Sequence, residues 1–240
     1  VEIGGTRLLD DNQDGTGTTT AEGSNVRSAA IVISPFVTQL FGLPDVPGGD
    51  GGDITINTPR LNLDDLGLIT VRNDGTGDAG SLTINAESIS LSKQGAITAT
   101  TASGEGGDIN LNLQSDLILR NNSLIDTEAL GTGNGGNITI NSPVILGLEN
   151  SNIIANAVEG MGGNINVTTS GIFGLEFRDE LTEESDITAS SQFGVYCTVE
   201  INNVGIDPSS ALVELPTELT DPSKQIARGC SSNTDSTFVA

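Results

Sequence analysis

Gly135-Gly136-Asn137-Ile138-Thr139-Ile140-Asn141 is the stretch on which the fold turns, because the chain keeps returning to it. The phrase stands as Gly-Gly-Asp-Ile-Thr-Ile-Asn at 51–57, Gly-Ser-Leu-Thr-Ile-Asn at 80–85 and Gly-Gly-Asp-Ile-Asn-Leu-Asn at 106–112. It appears again as Gly-Gly-Asn-Ile-Asn-Val-Thr at 162–168, with a weaker copy, Thr-Val-Glu-Ile-Asn, at 198–202. One apolar position, followed through the copies, reads Ile56, Ile84, Leu111, Ile140, Val167 and Ile201. A second reads Ile69, Ile97, Ile125, Ile153 and Ile187, with the first three steps all of 28 residues. Two columns in step mean that each repeat is one structural unit, stacked on its neighbours.

Each unit carries three short apolar runs. The first alternates, as in Ile138-Thr139-Ile140. The second pairs Leu61 with Leu63, Ile89 with Leu91, Leu117 with Leu119, and Leu146 with Leu148. The third surrounds the isoleucine column, as in Leu68-Ile69-Thr70-Val71. Alternation over four or five residues is the mark of a strand, whose side chains point to opposite faces in turn. Gly, Asn, Asp, Ser and Pro separate the runs, and these residues form turns readily. The expected fold is all-β: a parallel β-helix, or solenoid, of about 28 residues and three strands per turn, its rungs about 4.8 Å apart. Asn57, Asn85, Asn112, Asn141 and Asn202 close the first run and are expected to stack as an amide ladder. A ligand-binding row is the alternative. Asp53, Asp108, Asn137 and Asn164, after the glycines, read as turn caps, with a polar binding stripe as the alternative.

Along the chain, residues 1–50 read as one turn with a long excursion. Val1–Gly5 is expected to be a strand, 6–28 a polar loop, and Ala29–Ser34 with Phe36–Phe41 a third strand or short amphipathic segment. Residues 51–202 read as the regular β-helix, interrupted at 173–184 by an insertion whose Glu176–Leu181 could form one helical turn outside the stack. Residues 203–240 lose the repeat and read as an irregular tail or cap. The chain opens on Val1-Glu2-Ile3 rather than on Met, and reads as a piece of a longer protein.

Composition narrows the function. The formal net charge is −23 with only nine basic residues, which opposes nucleic-acid binding and attachment to anionic membranes. No run approaches the length of a membrane span. Histidine is absent, so Ser–His and Cys–His nucleophile systems are excluded. Acidic pairs could in principle serve glycoside hydrolysis, but Asp64-Asp65 and Glu183-Glu184 read as solvated turns. Aromatic platforms for sugars are scarce, with one Tyr and no Trp. Asp10, Asn12 and Asp14 have the alternate spacing of a calcium loop, with Gly15 at the turn. The twelfth position is Ala21, however, and Glu22 falls one residue late. A plain acidic loop is the alternative. Cys197 and Cys230 would staple the tail to the rod if bridged in an oxidising exterior. Two separate thiols are the alternative.

Four phrases carry a resemblance: Gly-Gly-Asn-Ile-Thr-Ile-Asn-Ser-Pro (135–143), Gly-Ile-Phe-Gly-Leu-Glu-Phe-Arg (171–178), Ser-Asp-Ile-Thr-Ala-Ser-Ser-Gln-Phe-Gly (185–194) and Gln-Ile-Ala-Arg-Gly-Cys (225–230). Over most of 51–240 the chain resembles the carboxy-terminal portion of large cyanobacterial-type exoproteins of the filamentous haemagglutinin family. The resemblance implies a right-handed β-helix, export by two-partner secretion through an outer-membrane transporter, and a place outside the cell or on its surface. It supplies no catalytic motif. The expected function is that of a structural or adhesive rod segment, not an enzyme, with a surface glycan or protein as receptor. A fibre or sheath component that associates with itself, and a carbohydrate-active β-helix, are the competing expectations.

Overall fold

The computed structural model describes residues 1–3, 6–10, 19–193 and 198–204, all within one compact unit. The chain enters through β1 (Glu2–Ile3), β2 (Thr6–Asp10), β3 (Thr19–Gly23), β4 (Asn25–Ala30) and the helix α1 (Pro35–Phe41). Then come β5 (Ile54–Leu63) and β6 (Leu68–Asn73), β7 (Leu82–Leu91) and β8 (Ala96–Thr101), β9 (Ile109–Leu119) and β10 (Leu124–Asp126). In β5, β7 and β9 the first and second apolar runs are the two arms of one bent strand. In the next turn they part into β11 (Ile138–Asn141) and β12 (Val144–Gly147), where Pro143 has no N–H to give to a ladder. After β13 (Asn152–Ile154) they part again into β14 (Ile165–Thr169) and β15 (Gly171–Phe173). The chain ends its described course in β16 (Glu176–Phe177), β17 (Asp186–Thr188) and β18 (Val199–Asn203).

Two parallel sheets result. One runs β1-β5-β7-β9-β11-β14-β18, with β12 and β15 beside it, and the other runs β16-β17-β13-β10-β8-β6-β4. The fold is a β-solenoid of about four turns spaced about 28 residues apart. Its third side is made of turns, linked by the single bridges Thr101 to Ala129, Ala129 to Ala157 and Ala157 to Ser191. Both sequence columns are real registers: Ile56, Ile84, Leu111, Ile140, Val167 and Ile201 are successive partners, as are Ile69 through Ile187. The five isoleucines of the second column are fully buried. Each contributes about 1.5–3 kcal/mol relative to exposure, so the columns are the core.

The paired glycines have a steric reason. Gly52, Gly80, Gly107, Gly136 and Gly163 lie one above another, and a Cβ on any of the last three would collide with the carbonyl oxygen of the glycine in the preceding turn. The backbone passes closer there than any side chain allows.

Several expectations are corrected. Part of 6–28 is not loop: β2 and β3 form an antiparallel pair, and β4 is already a rung, with Val26 in register with Ile69. The third strand of that turn is therefore 25–30 rather than Ala29–Ser34, and Pro35–Phe41 is helical, starting on a proline and ending at Gly42 with φ 64°. Glu176–Leu181 forms no helical turn. Glu176 and Phe177 instead pair with Asp186 and Ile187 and cover the edge of β17. The inward pair in the fourth turn is Ile145 and Gly147, not Leu146 and Leu148. Val144-Ile145-Leu146-Gly147-Leu148 alternates in either phase, and a one-residue slip exchanges the faces. Leu175, from the insertion, packs over Gly147 and fills the space its missing side chain leaves.

Candidate binding face

The bend in β5, β7 and β9 follows directly after the asparagine column, and the angle between the two arms creates an open groove along the rod. Its volume is about 590 Å³, with Asn57, Asn85, Asn112 and Asn141 along it and Ala86 and Leu113 beside them. The asparagines form a continuous ladder. The Asn85 Nδ2 donates to Asn57 Oδ1 at 2.8 Å, Asn112 to Asn85 at 3.0 Å, and Asn141 to Asn112 at 3.0 Å. Thr168 follows Asn141 in register, so Asn202 stands outside the ladder and bonds Glu200 instead. Each interior amide spends one of its two N–H groups and one of its two oxygen lone pairs on the ladder. The remaining capacity, repeated about every 4.8 Å, suits an extended polar ligand. Glu87 and Gln114 stand on the same groove.

Two further ladders run beside the glycines. Asp108 Oδ1 accepts from both the backbone N–H and the side chain of Asn137, at 2.9 and 3.0 Å, and Asn137 does the same for Asn164. Asp53 accepts from the Ser81 N–H. These residues therefore cap the turn above them. The second ladder escaped notice in the sequence: Asp50 accepts from the Asp78 N–H, Asp78 from Glu105, Glu105 from Asn134, and Asn134 from Met161, all within 3.1 Å. The signal was present, since 50, 78, 105, 134 and 161 keep the period of the glycines.

Both acidic pairs stand at surface turns, and one has a structural partner. Asp64 and Asp65 both meet Lys93, at 3.3 and 3.2 Å, at a corner where Asp65 and Leu66 are left-handed. Lys93-Gln94, Asn121-Asn122 and Glu149-Asn150 repeat that left-handed corner turn by turn. Glu183 and Glu184 are exposed. Asp186 is fully buried. Burial pushes its carboxyl up, but the Thr182 amide, the Arg178 guanidinium and the Thr182 hydroxyl together outweigh this and hold it below the usual carboxylate range. Asp126, at the end of β10, has no such cation. Burial, with the Glu128 charge beside it, pushes it up to about 7 against the one bond it accepts from the Glu128 N–H. Glu128, itself raised by burial, shares an acidic cleft of about 310 Å³ with Asp179 and Glu180.

Of the calcium candidates, Asp10 closes β2, while its side chain and all of Asn12 and Asp14 lie outside the described residues. So do Cys197, Cys230 and the tail from 205 onward. Among the described residues, no group of three or more Asp, Glu, His or Cys is gathered as for a metal ion, and no helix is long and apolar enough to cross a membrane. No protein-family model, curated protein or solved structure gives a significant match to the chain.

Proposed function

We propose that the chain is a segment of an adhesive or structural rod, secreted or displayed at the cell surface, that engages an extended polar ligand such as a surface glycan along the asparagine groove. The observation that carries this reading is the groove itself: four amides in line across four turns, each with hydrogen-bonding capacity to spare. The resemblance to two-partner secretion exoproteins supports export through an outer-membrane transporter, and the acidic surface suits a solvated exterior. Adhesion is read on a glycan array with the purified chain. Retention of a linear polysaccharide, weakened several-fold by Glu87→Ala and Gln114→Ala, is the expected result. An array left empty would remove the groove from the reading. Display is tested by protease treatment of intact cells. Protection until lysis would end the surface assignment.

A second reading, carbohydrate cleavage, is favoured by the cleft holding Glu128, Asp179 and Glu180. Release of reducing ends from a polysaccharide retained on the array, lost in Glu128→Gln, would move the assignment there.

A further inference from the structure

The segment around α1 turns its apolar side outward. The helix buries one residue, Thr38, a polar one, whose Oγ1 lies 3.0 Å from the Pro35 carbonyl and 3.2 Å from Asp45 Oδ1. Phe36 is 73% exposed and Phe41 69%. Leu40 and Leu43 are exposed as well, together with Ile31 and Val32 just before the helix. Phe36 and Leu40 stand one turn apart and make a ridge, and Phe36 and Leu43 line the same hollow. All five phenylalanines among the described residues are exposed, and two of them stand here.

Two properties identify the occupant. The six residues, spread around the helix and the segment before it, together expose on the order of 700 Å², close to the roughly 800 Å² that each partner brings to a standard interface. Residues 28–44 also contain no charged side chain, and the one acid on the hollow, Asp45, accepts from the Thr38 hydroxyl, in a protein of net charge −23. Two copies repel one another through most of their surfaces and do so least through this one. A lipid bilayer is the poorer occupant, because the patch has no Lys or Arg to meet headgroups. A two-fold contact makes one patch its own complement.

We infer that α1 and its flanking apolar residues form a self-association surface, through which two copies of the chain pair about a two-fold axis. The pairing stands apart from the export and adhesion reading, since it is measured on purified protein without cells or glycan.

The test is sedimentation velocity of the 240-residue chain from about 1 to 100 µM, in 0.05 and 0.5 M NaCl. The mass moves from 24.5 kDa to twice that value as concentration rises. The transition falls at lower concentration in high salt, where like-charge repulsion is screened. Phe36→Asp with Leu40→Asp abolishes the pairing at 100 µM and leaves circular dichroism and the melting temperature at 1 µM, where the wild type is monomeric, unchanged, because neither side chain enters the core. Phe41→Asp, made separately, weakens it at least ten-fold. A wild-type chain that stays monomeric at every concentration and salt overturns the proposal. So does a dimer that survives both sets of substitutions, which would place the interface elsewhere. Flotation of the wild type, but not the double variant, with phosphatidylcholine vesicles would make lipid the occupant and overturn it too.

Discussion

Gly136 and Gly49 separate two reasons for a glycine in this chain. A methyl group on Gly136 meets the Gly107 carbonyl and the backbone of Gly106, none of which can yield without disturbing the turn, whereas a methyl on Gly49 meets nothing within 4 Å. Gly136→Ala therefore destabilises by about 3 kcal/mol, the upper range for forcing atoms into filled space, and Gly49→Ala stays within about 0.5 kcal/mol. Urea melts of the two variants side by side check this, and equal losses would refute the stacking argument. Asp126 poses an electrostatic question at the same scale. Its folded pKa, raised from 3.8 to about 7, means that the folded state holds its proton more tightly than the unfolded chain. Its contribution to stability is thus fully present below about pH 4 and lost as pH rises through 7. Asp126→Asn removes that slope and stabilises the protein at pH 8 by on the order of 4 kcal/mol. Asp186 works in the opposite sense. Its lowered pKa contributes stability above the ordinary carboxylate range, which is lost as pH falls through the folded value. Melting temperatures of the Asp126→Asn and Asp186→Asn variants across pH 3 to 8 distinguish the two limbs.

Among the elements, the asparagine ladder separates membership from mere periodicity. Asn112 lies between two partners, so Asn112→Ala breaks two amide bonds and costs about 1–2 kcal/mol. Asn202→Ala, in the same column of the sequence but beyond Thr168, costs close to nothing. Denaturant midpoints of the two variants decide between a ladder and a set of independent turn residues. The same contrast shows what could be read in advance. The isoleucine column and the alternating first run were legible because burial on one face imposes a period of two within the strand and about 28 along the chain. The second run at 144–148 was not, because its apolar residues alternate in both phases and only packing against Leu117 and Leu119 selects one. The hairpin of β2 and β3 was hidden for another reason. Its pairing is local and antiparallel and owes nothing to the repeat. In the candidate site, the four asparagines were visible as a column, but the groove beside them was not. It arises from the bend between two strand arms, where β9 carries one extra residue, Gln114 and Ser115 together standing opposite Glu87. The outward apolar face of α1 was equally hidden, since an amphipathic pattern does not say which side meets the protein.

At the scale of the molecule, a solenoid is bonded only to its neighbours, turn by turn, so its cooperativity depends on every rung. Ile125 occupies the middle of the buried column, between Ile97 and Ile153, in register with both. Ile125→Ala removes contacts to both neighbours and costs about 2–5 kcal/mol, the range for a fully buried isoleucine. Such a lesson in the middle of the rod weakens the coupling of its two halves as well as the total. Ile187→Ala, toward the last rungs, removes comparable burial but leaves the column from Ile69 to Ile153 joined. The outcome expected from hydrogen exchange is a difference in pattern. Ile125→Ala lowers protection in β6 and β8 as well as in β13 and β17, while Ile187→Ala lowers it chiefly in β13 and β17. A uniform loss in both variants would mean that the unit unfolds as one block, with no neighbour-to-neighbour order. Salt gives an independent handle on the same balance. With a net charge of −23 and acidic side chains stacked at Asp50, Asp78 and Glu105, screening relieves repulsion along the rod. Raising NaCl from 0.05 to 0.5 M therefore raises the melting temperature of the wild type, measured at a concentration low enough to exclude self-association.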